Sequence, residues 1–177
     1  MHKVFVGMAV IIGLAVAPIT ASAGPVVEGS VGVGWQLTTS VDRTPVNVMV
    51  APGWGFAGLL KLELGLLASL GDVQNSKFDL ELRPMVVISP PLIPLYLRGI
   101  FAVQNFVNGP TAIAYGAALG VSFGLLGAGL FVEAGVLPRN VKVDATTNAR
   151  VVGSTSAPTK DVFRWFVEGR AGAYYDF

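Results

Sequence analysis

The chain holds 177 residues, room for one domain, and no charge-rich or Pro/Ser-rich linker divides it. Hydrophobic residues make up 53% and charged residues only 13%, against about a quarter charged in ordinary soluble domains. The 22 glycines disfavour a helical bundle, a net charge of +1 without a basic stripe argues against nucleic acid, and the lack of cysteine excludes disulfides and thiolate chemistry.

The first segment reads as an address. Lys3 supplies a positive start, residues 4–16 are apolar and uncharged, Pro18 breaks the run, and Ala21-Ser22-Ala23 has the small-x-small form of a cleavage site. The apolar run is short for a membrane span of about 20 residues. A secretory signal peptide over residues 1–23 is expected, with residues 24–177 as the mature domain. His2, the single histidine, would leave with it.

The remainder alternates with a period of two, in eight segments separated by turn signals. Segment one covers 26–38, with Val27, Val31, Val33, Trp35 and Leu37 opposite Glu28, Ser30, Gly32, Gly34 and Gln36. Segment two, 46–56, sets Val46, Val48, Val50, Trp54 and Phe56 against Asn47, Met49, Ala51, Gly53 and Gly55, and Gly58 marks a tight turn. Segment three, 59–70, sets Leu60, Leu62, Leu64 and Leu66 against Lys61, Glu63, Gly65 and Ser69. Segment four, 78–88, sets Leu80, Leu82, Val86 and Ile88 against Asp79, Glu81, Arg83 and Met85, and Pro90, Pro91 and Pro94 follow as a turn.

Segment five, 95–104, opposes Leu95, Leu97, Phe101 and Val103 to Tyr96, Arg98, Ala102 and Gln104. Segment six, 112–122, opposes Ile113, Tyr115, Leu119 and Val121 to Ala114, Gly116, Ala118 and Gly120. Segment seven, 128–137, opposes Leu130, Val132 and Val136 to Phe131, Glu133 and Gly135. Segment eight runs from 162 to 177, with Phe163, Trp165, Val167, Ala171 and Tyr175 opposite Arg164, Phe166, Glu168, Arg170, Tyr174 and Asp176. Residues 112–132 also read as one uncharged helix, with Gly116, Gly120 and Gly124 in GxxxG spacing. That reading leaves the other amphipathic segments unexplained, and 123–127 makes a plausible hairpin turn.

Every charge assigned to a segment falls opposite the large aliphatic residues. A soluble barrel would point its apolar face inward, as a lipocalin-like binder does. A membrane barrel inverts the arrangement. Two features favour inversion. The polar face mixes charges with Gly and Ala, which suits a cramped interior. The apolar face carries aromatics near the segment ends, as interfacial girdles require. Lipid leaves no free sheet edge, so the sheet must close. The expected fold is all-β, an eight-stranded antiparallel transmembrane up-and-down barrel. Its interior charges are Glu28, Lys61, Glu63, Asp79, Glu81, Arg83, Arg98, Glu133, Arg164, Glu168, Arg170 and Asp176, near balance and expected to pair. The connection 139–161 reads as a long polar loop.

The last segment adds a recognisable mark. Gly169, Ala171, Ala173, Tyr175 and the terminal Phe177 share one face. This resembles the C-terminal signal of bacterial outer-membrane proteins that the barrel assembly machinery reads. With the export signal and eight strands, the chain resembles the small outer-membrane barrels of the outer membrane protein A and X type. The resemblance implies an outer-membrane location. Enzymes among such barrels use histidine, which the mature chain lacks, so no enzyme activity and no catalytic residue is expected. No cofactor and no metal site is expected.

Two roles remain from the sequence. One is a structural or loop-mediated interaction role in the envelope, as a monomer, with outer-membrane lipid around it. Loop charges Arg43, Lys77, Arg139, Lys142, Arg150 and Lys160 slightly outnumber Asp42, Asp72, Asp144 and Asp161; ordinary loop solvation is the preferred reading of that excess, and pairing with lipopolysaccharide phosphates is the alternative. The other is a narrow channel for small or hydrophobic solutes, lined by Met49, Leu67, Met85, Ile100, Phe131 and Phe166.

Overall fold

Alternating apolar and polar residues favour a pleated ribbon, because successive side chains of a strand point to opposite faces. The computed structural model describes residues 23–37, 46–70, 79–91, 93–104, 112–144 and 158–177, and these build strands throughout. The elements are β1 (Gly24–Gln36), β2 (Val46–Phe56), β3 (Leu60–Ser69), β4 (Asp79–Ile88), β5 (Leu95–Gln104), β6 (Ala112–Leu125), β7 (Ala128–Asp144) and β8 (Thr159–Asp176). Each strand pairs antiparallel with its sequence neighbour, and β8 returns to β1 to close the barrel. The shortest strands hold 10 residues, enough to cross a bilayer at the usual tilt, which takes about 9–11. Among the described residues no helix is long and apolar enough to cross a membrane.

The faces are sorted as in a barrel turned inside out. Outward stand Val31, Val50, Leu62, Leu64, Leu66, Leu97, Phe101, Leu119 and Val132, all exposed. Inward and buried stand Glu28, Glu63, Glu81, Arg83, Arg98, Glu133, Arg164, Glu168 and Arg170. In water this would forfeit about 1.5–3 kcal/mol for each large side chain left exposed. In lipid the cost vanishes, whereas a charge at the midplane would cost about 2–4 kcal/mol. The outward-facing strand residues around the barrel's waist carry no charge.

The two ends differ. One holds both strand termini and the connections after β2, β4 and β6. Two of these turns place a non-glycine residue and a glycine in the left-handed region, Ala57 (φ 52°) with Gly58 (φ 64°), and Leu126 (φ 54°) with Gly127 (φ 83°). Positive φ at both central residues matches the right-handed twist of the flanking strands. The Leu126–Gly127 turn joins β6 to β7 directly, so the run 112–132 is a hairpin and not a helix. The Gly127 carbonyl accepts the Asp176 N–H at 2.6 Å, and the Phe177 N–H donates to the Pro25 carbonyl at 3.0 Å. These bonds fasten the last residues to the closing seam.

At the other end β7 and β8 run further than the alternation indicated. Their pairing continues through Lys142↔Asp161 to Asp144↔Thr159. Arg139, Lys142, Asp144, Lys160 and Asp161 are therefore strand residues and not parts of a long loop. Polar and β-branched residues alternate there without a stripe of large aliphatic residues, so the composition read as loop. Lys142 stands across from Asp161 in this register. Asp42, Arg43, Asp72, Lys77, Arg150 and the signal segment 1–22 lie outside the described residues.

Three ladders are interrupted at proline. The β2–β3 register passes from Val50↔Leu66 to Gly53↔Glu63, skipping Pro52. The β4–β5 register skips Pro84, and the β6–β7 register skips Pro138. Proline has no N–H to donate, so each sits where the ladder can spare one bond.

Candidate functional site

The lumen is the one place where the described chain gathers chemistry, and alternation alone puts it there. Inward positions of β1, β3, β4, β5, β7 and β8 carry the charged residues. Inward positions of β6 are small, with Ala114, Gly116, Ala118 and Gly120. An eight-stranded barrel is just wide enough for side chains to fill it. Arginines from one wall therefore reach carboxylates on the opposite wall.

A first cluster centres on Arg98 of β5. Its Nη2 donates to Glu28 Oε2 at 2.7 Å and its Nη1 to Glu63 Oε2 at 2.8 Å. Its Nε lies 2.9 Å from Glu133 Oε2. One guanidinium thus binds carboxylates from β1, β3 and β7. The Tyr96 hydroxyl donates to the same Glu133 oxygen at 2.8 Å. The guanidinium carbon lies 5.6 Å from the ring centroids of both Tyr96 and Phe131. Such placement adds cation–π attraction in a desolvated setting.

A second cluster centres on Arg83 of β4. Its Nε donates to Glu81 at 2.6 Å, and its Nη1 and Nη2 grip both oxygens of Glu168 at 2.7 and 2.9 Å. Gln104 Nε2 donates to the second oxygen of Glu81 at 2.9 Å. Bidentate arginine–carboxylate pairs are among the strongest charged contacts, because the fork fixes both distance and direction. Arg83 and Arg98 are 1% and 2% exposed, among the largest fully buried side chains described.

Arg170 of β8 stands between the clusters on longer contacts. It reaches Glu168 at 3.4 Å and Glu133 at 3.6 Å, and spends another N–H on the Met49 sulfur at 3.4 Å. Lys61 and Asp176 form a more exposed pair at 2.8 Å near the turn end, with the ammonium over the Tyr174 ring at 4.4 Å. Arg164 is buried on β8. Asp79 belongs to β4 opposite Ser69; its side chain lies outside the described residues.

Apolar side chains fill the rest. Met49, Leu67, Met85, Ile100 and Leu137 form one buried cluster, and Val87, Tyr96 and Phe131 another. Four glycines admit aromatic side chains. A Cβ on Gly120 would collide with Tyr96, one on Gly124 or on Gly129 with Tyr174, and one on Gly172 with Phe131. The sequence placed Tyr96 and Gln104 inward but assigned them no partner. Their signal was the shared parity with Arg98 and Glu81.

Gly169, Ala171, Ala173 and Tyr175 lie on the outward side of β8, and Phe177, just past its end, meets Tyr175 edge to face at 4.8 Å. Among the described residues no group of three or more His, Cys, Asp or Glu is placed to hold a metal.

No family model matches the chain, and no curated protein matches it. Solved structures do. The crystal structure of Neisserial surface protein A, an eight-stranded outer-membrane barrel, superposes with a TM-score of 0.61 at 12% identity, over 88% of this chain and 99% of that one. The fold is that of a transmembrane β-barrel. A de novo designed transmembrane β-barrel also matches, with a TM-score of 0.44 and 17% identity over 86% of this chain and 95% of the design. The likeness to the surface protein is one of fold. It agrees with the apolar outer wall and the charged lumen, which call for lipid outside and for paired ions within.

Proposed function

We propose that this protein is an integral outer-membrane barrel with a closed lumen, serving the envelope as a structural element and through the surface at its loop end. The observation that carries this reading is the bracing of the lumen from wall to wall. Arg98 ties β5 to β1, β3 and β7, and Arg83 ties β4 to β8, each through bonds of 2.9 Å or less. A passing ion would have to displace buried charged pairs, and breaking one costs about 3–5 kcal/mol. Met49, Leu67, Met85, Ile100, Phe131 and Phe166, the expected lining of a channel, are all buried against neighbours. That speaks for packing and against a standing pore.

On this reading the end with the short turns faces the periplasm and the long β7–β8 hairpin faces outward. The outward stripe of Gly169, Ala171, Ala173, Tyr175 and Phe177 serves the barrel assembly machinery during insertion. The protein works as a monomer and performs no catalysis.

The test is conductance across a planar bilayer, with folding checked first by the gel shift between heated and unheated samples. A folded protein that stays silent supports the closed barrel. Discrete, reproducible steps would overturn it and make the inward charges selectivity elements of a channel.

A further inference from the structure

The buried polar atoms of the lumen are not equally satisfied. Glu28 Oε1, Ser30 Oγ, Asn47 Oδ1 and Arg170 Nε are buried without a protein hydrogen-bond partner. Their residues are 3%, 5%, 4% and 4% exposed. Arg98 Nε also lacks an aligned hydrogen bond, but it lies 2.9 Å from Glu133 and is charge-paired.

The four atoms belong to one stretch of wall. Gly32 of β1 stands opposite Asn47 of β2 on one side and Arg170 of β8 on the other. Ser30 and Glu28 follow inward on the same strand. A Cβ at Gly32 would lie 2.8 Å from Asn47 Oδ1, 3.0 Å from the Gly169 carbonyl oxygen and 3.3 Å from Arg170 Nε. Glycine is what lets these two groups approach the same place. Gly34, the next inward position, would bring its Cβ to nothing nearer than Glu168 Cγ at 3.6 Å.

The chemistry of the set defines its ligand. Glu28 Oε1 and Asn47 Oδ1 accept, Arg170 Nε donates, and Ser30 Oγ does either. An anion would face the Glu28 carboxylate, and a cation would face the Arg170 guanidinium. An apolar filler would leave all four atoms unmet. Small neutral molecules that both donate and accept, set along this stretch of wall, suit every member of the set. We propose that the lumen binds ordered water against the β1–β2–β8 wall, held by Ser30, Asn47, Arg170 and Glu28. This water joins the Arg98 cluster, to which Glu28 belongs, to the Arg83 cluster, which Arg170 touches through Glu168. It also explains why Arg170 stands off at 3.4 and 3.6 Å while the other two arginines are gripped. The inference holds whether or not the barrel conducts.

The test uses the refolded chain in detergent micelles, labelled with ¹⁵N-arginine. Rotating-frame water–protein cross-relaxation is read at the arginine Nε–H groups, where its sign separates bound water from proton exchange. A cross-relaxation peak to water is expected at Arg170. None is expected at Arg83, whose Nε–H donates to Glu81 at 2.6 Å. If Arg170 is as dry as Arg83, the site does not exist. In Gly32→Ala the Arg170 peak should vanish while the fold persists. Its survival at full intensity in the folded variant would remove the assignment to this wall. Should Gly32→Ala fail to fold, Asn47→Leu makes the same decision by removing the acceptor: loss or marked weakening of the peak is expected, and an unchanged peak overturns the site.

Discussion

Arg98 and Arg170 are the same residue type, both buried in the same lumen, yet the barrel uses them differently. Arg98 reaches across the barrel and holds three carboxylates within 2.9 Å. Arg170 touches its nearest carboxylates at 3.4 and 3.6 Å and keeps its Nε free of protein partners. The difference comes from what each faces. Arg98 points into a ring of glutamates from three strands. Arg170 emerges beside Gly32, Ser30 and Asn47, where the wall offers small or neutral groups. Burial and charge together do not make a brace; the opposite wall must supply oxygens at the right height.

The largest expected effect comes from removing the brace. Arg98→Met leaves Glu28, Glu63 and Glu133 without their shared cation. A loss of about 3–5 kcal/mol is expected, read as a lower urea midpoint for unfolding from lipid vesicles. Removing the carboxylates along with the arginine, by adding Glu28→Gln, Glu63→Gln and Glu133→Gln, should recover much of that loss. If the single variant were as stable as the parent, the brace would carry no weight.

A smaller loss is expected at the filling of the lumen. Gly120→Ala drives a methyl into the Tyr96 ring, which caps the Arg98 cluster through Glu133. Overpacking of this kind costs about 1–3 kcal/mol, and near-ultraviolet circular dichroism should report the displaced tyrosine. Arg170→Met should cost less than Arg98→Met, about 1–2 kcal/mol, because Glu168 keeps Arg83 and Glu133 keeps Arg98 and Tyr96. Equal losses for the two arginine variants in the same unfolding assay would erase the distinction between them.

The smallest effect lies far from both. Leu126 holds φ 54° in an exposed turn, where a bulky side chain is strained and an asparagine is tolerated. Leu126→Asn should add about 0.5–1 kcal/mol, without altering either arginine cluster. A destabilised variant would mean that Leu126 is held there by a contact outside the turn.

The face of each residue was legible along the chain. Leu62, Glu63 and Leu64 already state which side meets lipid, because the period of two belongs to the strand itself. The six-residue connection region 89–94 and the Leu126–Gly127 turn were marked by proline and glycine. The extension of β7 and β8 through Lys142 and Asp161 was not legible. Residues 139–144 carry no stripe of large aliphatic residues opposite their charges, so their pattern does not separate a strand from a loop.

The lumen was legible as a list of residues and not as a set of bonds. Sequence alone determined that Glu28, Glu63, Arg83, Arg98, Glu133, Glu168 and Arg170 share the inner face, since parity is local and lipid tolerates only one assignment. Only the closed barrel decided who binds whom. Arg98 takes Glu63 at 35 residues' separation and Glu28 at 70, while Arg83 takes Glu168 at 85. Those partners depend on the height of each side chain around the ring. Height is set by the tilt and by all eight registers together, a property that no single strand carries.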